Sequence, residues 1–207
     1  MQTRACSLLR PVSSSLPAFR TAASLTVLSL MSVIAFSQMP LPKPQIASAE
    51  GNPAPDFTLK DQNGAPFRLS AQRGSRLLLI FYRGYWCPFC TGELKELAAH
   101  KADFDAVKVR LVGISVDDQE HTLHTWGSLV HRQFTLLSDP GARVIRTYGL
   151  LHVQGGLDSD DVALDTIVFV DGDGIEGWRR VSATLPDLPT SQEIVSRIRS
   201  TMPHKPN

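Results

Sequence analysis

The chain has 207 residues, 43% of them hydrophobic and 20% charged, the make-up of one ordinary globular domain with an appendage, able to bury a core without disulfide staples. The formal net charge is +1, but residues 1–49 hold Arg4, Arg10, Arg20 and Lys43 and no acid, which leaves 17 basic against 20 acidic residues in the remainder. A mildly acidic domain without a basic run has no footprint for nucleic acid, and three cysteines are too few for a disulfide framework.

Within residues 1–49, the run Thr21 to Phe36 is apolar and small-residue-rich. It is as long as a signal-peptide core and shorter than the ~20 residues of a comfortable membrane span. The expectation is an export signal, with Ala35-Phe36-Ser37 and Ala47-Ser48-Ala49 both offering small residues for cleavage. The Ser- and Arg-rich, acid-free leading stretch also fits an organelle transit peptide. An uncleaved anchor through residues 21–37 is the third reading, with Pro40 to Ala49 as a stiff spacer. The expected division is 1–49 as signal or anchor and 50–207 as the folded domain. Export to a periplasmic or lumenal space would put the domain where disulfides persist, so its reductant must be delivered.

From Asp56 onward short elements alternate in type, as in an α/β domain with helices on the faces of a sheet. Phe57–Leu59 and Pro66–Leu69 read as a hairpin around Asn63-Gly64. Leu77–Tyr82 is a continuous apolar run, the mark of a central strand buried on both faces. After Pro88 the spacing turns helical, with Cys90, Leu94, Leu97, Ala98 and Phe104 on the apolar side and Glu93, Lys95, Glu96 and Lys101 between them. Further expectations are a strand over Val109–Val116, a helix over Gln119–Val130, a strand over Thr135–Leu137 and a helix over Ala142–Tyr148. Thr166–Val170 and Gly177–Val181 read as a strand pair around Asp171-Gly172-Asp173-Gly174, and Ser191–Thr201 as a closing helix.

The chemistry falls on Trp86-Cys87-Pro88-Phe89-Cys90, where the central strand runs into a helix. Unpaired N–H groups and the macrodipole at a helix N-terminus favour a thiolate there, by roughly 0.3–1 kcal/mol at an exposed end. Arg83 adds positive charge nearby, and Pro88 suits the first turn because it has no N–H to leave unsatisfied. The spacing brings Cys87 and Cys90 within disulfide reach. Half a zinc site would need two more ligands from six scattered histidines, and a buried structural pair is the other bland reading. Redox chemistry fits the context best.

Several runs carry a family resemblance. Pro53-Ala54-Pro55-Asp56-Phe57-Thr58-Leu59, Gly113-Ile114-Ser115-Val116-Asp117, Phe134 to Pro140 with Tyr148-Gly149, and Val168-Phe169-Val170-Asp171 together resemble the peroxiredoxin superfamily, in particular its bacterioferritin-comigratory and peroxiredoxin-like branches. The resemblance implies a thioredoxin-like fold, with a central mixed sheet flanked by helices and an N-terminal β-hairpin. It also implies thiol-dependent reduction of hydrogen peroxide or small organic hydroperoxides, a thioredoxin-like or other thiol reductant as partner, and a monomer. Neither cofactor nor metal is called for. Laid on the family motif, Cys90 takes the peroxidatic position, to be oxidised to a sulfenic acid, and Cys87 resolves it. The family's peroxide-polarising arginine belongs where this chain has Leu164-Asp165-Thr166, and Arg83 is the candidate substitute. Thioredoxins also place Trp before Cys-x-x-Cys. On that alternative Cys87 attacks protein disulfides, but the buried acid of the preceding strand is replaced by Ile80 and Phe81, and the cis-proline position falls at Asp165.

Other features read more plainly. His121 and His124 belong to a solvated helix face, Asp171 to Gly174 to a hairpin turn and not a calcium loop, and Trp126 and Trp178 to core or groove. Gly92 serves either close packing or loosening of the catalytic helix.

Overall fold

The computed structural model describes residues 50–182, 184 and 187–201. The export, transit and anchor readings of residues 1–49 fall outside them. Among the described residues no helix is long and apolar enough to cross a membrane.

Among the described residues nine strands and five α-helices alternate, and seven of the strands and four of the helices are those the sequence pattern predicts. β1 (Thr58–Asp61) and β2 (Pro66–Arg68) form the expected antiparallel hairpin. Asp61 Oδ1 accepts from the N–H groups of Asn63 and Ala65 inside the turn, and Gly64 supplies its positive φ of 80°. β3 (Arg76–Phe81), β4 (Val109–Ser115) and β5 (Thr135–Ser138) pair in parallel, while β8 (Thr166–Val170) and β9 (Glu176–Val181) extend the sheet antiparallel beyond β3. The seven-stranded order β2-β1-β5-β4-β3-β8-β9 makes a mixed sheet with β3 in its interior.

β3 explains its own sequence. Leu78, Ile80 and Tyr82 point into one core with Leu94, Leu97, Phe104, Ile194 and Ile198, whereas Leu77, Leu79 and Phe81 point into another with Phe57, Ile145 and Val168. A strand covered on both faces needs no polar alternation. The first core is roofed by α1 (Pro88–Ala99), α2 (Lys101–Ala106) and α5 (Ser191–Thr201); α3 (Gln119–Ser128) and α4 (Arg143–Thr147) complete the helices.

Two details depart from expectation, and a buried ion pair adds a third feature. The helix after Pro88 breaks at His100, so Phe104 reaches the core from a separate short helix. A two-stranded sheet of β6 (Leu151–His152) and β7 (Val162–Ala163) carries no periodicity long enough to read. Glu176 and Arg179, on β9, form a bidentate ion pair with side chains 0% and 8% exposed, and Arg179 Nη1 also donates to the Tyr148 carbonyl at 3.1 Å. The Asp171–Gly174 run is the β8–β9 turn, with Asp171 Oδ1 accepting from the N–H groups of Asp173 and Ile175.

Candidate active site

The site lies where the parallel strands end at their C-terminal edge, the usual place for chemistry in open α/β sheets. Leaving β3, the chain turns through Arg83 to Trp86 and enters α1 with Cys87 as its N-cap and Pro88 at the first helical position. The Cys90 N–H, one of the donors orphaned at a helix start, points at Cys87 Sγ from 3.4 Å. Cys87 and Cys90 form a disulfide with Cα atoms 5.3 Å apart, and they are 1% and 0% exposed.

Asp117, just past β4, holds the approach loop. Its carboxylate accepts the Tyr85 N–H at 3.0 Å and the Ser115 hydroxyl at 2.9 Å. Gly84 passes so close that a Cβ there would meet Trp86 Nε1 at 2.8 Å and Asp117 Oδ1 at 2.9 Å, so the position admits only glycine without a shift of its neighbours. Burial raises the Asp117 pKa, opposed by its Ser115 and Tyr85 hydrogen bonds. Tyr85, itself exposed, stacks on His121 with ring centroids 3.9 Å apart.

β8 runs antiparallel to β3 with Thr166 opposite Phe81, so the residue before it reaches the same sheet edge as the cysteines. That residue is Asp165, and its Oδ1 lies 3.1 Å from Cys90 Sγ. Asp165 is 6% exposed, and burial pushes its pKa up to about 6 although the Arg83 charge pulls it down. Glu93, one turn into α1, is a second buried acid. The sequence pattern sets it among the polar positions, but it is 7% exposed and its Oε1 has no hydrogen-bond partner. Burial, then the charges of Asp165 and Glu96, push its pKa up to about 8.

Arg83 lies in the loop between β3 and α1. Its Nη2 donates to the Gly155 carbonyl, its guanidinium lies 5.7 Å from the Trp86 ring, and its charge acts on Asp165; no hydrogen bond joins it to Cys87 or Cys90. Gly92 has open space where a Cβ would be, so close packing does not account for it. Among the described residues no group of three or more His, Cys, Asp and Glu side chains could hold a metal. His124 is exposed and bonded to Ser128, whereas Trp178 is a buried core residue stacked on Phe169. Trp126 is partly buried against the core.

The profile of the AhpC/TSA family matches residues 51–175, well over half the chain. The chain belongs to the AhpC/TSA family. Within this peroxiredoxin superfamily, alkyl hydroperoxide reductase E of Mycobacterium tuberculosis is 36% identical over 110 residues, covering 52% of this chain and 71% of that protein. Chloroplastic peroxiredoxin Q of Arabidopsis thaliana is 36% identical over 104 residues, 49% of this chain and 46% of that one. Among solved structures, peroxidoxin BcpB of Mycobacterium tuberculosis superposes with a TM-score of 0.64 at 25% identity, covering 73% of this chain and 96% of that one. The sheet order and the cysteine-bearing α1 are thus an AhpC/TSA scaffold, and the thioredoxin-like fold expected from the sequence is the one found.

Two acidic residues escaped the sequence reading as site members. Asp165 is 75 positions from Cys90 and meets it only through the β3–β8 register. Glu93 carried a signal, since it is three residues from Cys90 and so on the same helical face.

Proposed function

We propose that this AhpC/TSA domain is a thiol-dependent peroxidase that reduces hydrogen peroxide or small organic hydroperoxides with the Cys87–Cys90 pair. The observation that carries this reading is the pair itself, buried and disulfide-bonded at the strand-to-helix junction of a family whose relatives are named alkyl hydroperoxide reductase and peroxiredoxin. Cys90 attacks the peroxide and becomes a sulfenic acid. Cys87 then attacks Cys90 sulfur and closes the disulfide, and a thioredoxin-like or other thiol reductant reopens it.

Because both sulfurs are buried, the first turn of α1 opens during the cycle. Gly92 favours that opening, being about 1 kcal/mol less helix-forming than alanine. Exposed Phe89 and Tyr85 beside the pair offer a reductant an apolar landing area. The compartment we favour is the exported one, reached through residues 1–49, with a monomer as the working unit.

One observation favours a second reading, thiol–disulfide exchange initiated by Cys87. Cys87 is the N-cap residue and receives an N–H, whereas Cys90 faces a carboxyl where the resemblance calls for an arginine. Serine variants separate the two. In the peroxidase, Cys90→Ser ends peroxide consumption while Cys87→Ser still turns over once and leaves a sulfenic acid that dimedone labels. In the exchange enzyme, Cys87→Ser ends reduction of a disulfide substrate and Cys90→Ser accumulates a mixed disulfide on Cys87.

A further inference from the structure

A buried carboxyl touching the reacting sulfur changes which proton transfers the site can perform. In the disulfide form Asp165 Oδ1 lies 3.1 Å from Cys90 Sγ, within reach of the Cys90 S–H once the pair is reduced. The charged or titratable groups that face Asp165 are Arg83 from the loop after β3, and Glu93 and Cys90 from α1. Burial disfavours the carboxylate, Arg83 favours it, and the result is a carboxyl that exchanges its proton near neutral pH.

We propose that Asp165 is a catalytic residue that carries one proton from the Cys90 thiol to the leaving oxygen of the hydroperoxide. The proposal rests on the peroxidase reading with Cys90 as the attacking sulfur. Asp165 carboxylate takes the S–H proton, and the Cys90 thiolate attacks the terminal oxygen of ROOH. The S–O bond forms as the O–O bond breaks, and the electron pair leaves on RO⁻. Protonated Asp165 returns its proton to RO⁻, giving ROH, a carboxylate ready for the next cycle, and Cys90 sulfenic acid. Cys87 thiol then attacks Cys90 sulfur; the S–S bond forms and the displaced hydroxide leaves as water with the Cys87 proton. Two thiols are oxidised and one peroxide is reduced to ROH and H2O. An arginine stabilises the charge on the leaving oxygen, whereas a carboxylic acid neutralises it, so this site loses activity when Asp165 is protonated before the thiol can give up its proton.

The test is single-turnover oxidation of the reduced full chain by hydrogen peroxide from pH 4.5 to 8.5, for wild type and Asp165→Asn, with an activated aromatic disulfide as a parallel oxidant. The wild-type rate should fall on the acid side of about pH 6. Asp165→Asn should lose roughly 10²-fold or more, the usual range for general acid–base catalysis, and lose that acid limb. An Asp165→Asn rate within threefold of wild type, or one that keeps the limb, overturns the proton transfer and leaves the peroxidase reading standing. A wild type silent towards peroxide but oxidised by the aromatic disulfide overturns both. Should Asp165→Asn fail to fold, wild type in deuterium oxide decides: a slower rate supports the transfer, and an unchanged rate with no acid limb refutes it.

Discussion

Glu93→Gln should make the protein more stable at pH 8 and erase most of its loss of stability between pH 6 and 8. The ordinary pKa of this carboxyl is 4.5, and burial in the fold, beside Asp165 and Glu96, pushes it up to about 8. Below pH 4.5 folded and unfolded chains both hold the proton, and the group costs nothing. As the pH rises towards 8 the unfolded chain ionises freely while the folded one does not, so stability falls by about 1.4 kcal/mol per unit, or about 3 kcal/mol by pH 7. Asp165 acts in the same direction, but its window closes near pH 6. The interval from pH 6 to 8 therefore isolates Glu93 from Asp165. Urea denaturation of reduced wild type and Glu93→Gln at pH 6, 7 and 8 measures it, with m-values checking that the unfolded state is unchanged. Parallel curves for the two proteins across that interval would refute the assignment of a buried, proton-holding Glu93.

The remaining predictions concern the frame around the site. Arg179→Ala leaves Glu176 buried without its cation and should cost about 3–5 kcal/mol in chemical denaturation. Gly84→Ala puts a methyl against Trp86 Nε1 and Asp117 Oδ1, so it should cost about 1–3 kcal/mol and change the near-ultraviolet signal of Trp86. Asp117→Ala removes the acceptor of the Tyr85 N–H; the expected loss is about 1–3 kcal/mol in melting, with slower peroxide oxidation as the loop before Cys87 loosens. Leu97→Ala, two turns along α1 from Cys90 and fully buried, should cost about 2–5 kcal/mol and serves as the calibration for the others.

The path from sequence to site was readable where one physical signal dominated. Leu77 to Tyr82 is apolar throughout because alternate residues enter two different cores, and that run, followed by helical spacing after Pro88, located Cys87 and Cys90 at the strand-to-helix junction. Family resemblance placed Asp165 where an arginine belongs, but its approach to Cys90 depends on the Phe81–Thr166 register, which no local pattern encodes. The sequence pattern gives no sign that Glu93 is buried, because a charged residue between apolar ones ordinarily faces water. The hydrogen bond from Arg83 to the Gly155 carbonyl, 72 positions away, is another contact that no local pattern encodes. The break at His100 and the two-residue strands β6 and β7 are too short to leave a periodic trace.

The cysteines lie only three positions apart, so the ring they close ties together almost none of the chain. In the chain-entropy account a crosslink this local is worth about 2 kcal/mol or less, against roughly 5 for one spanning a hundred residues. The domain is therefore held together by its two cores and the Glu176–Arg179 pair and not by its disulfide. Oxidising equivalents can be stored in that bond and discharged without dismantling the scaffold, and the same domain stands as a folded dithiol or a folded disulfide at every stage of its cycle.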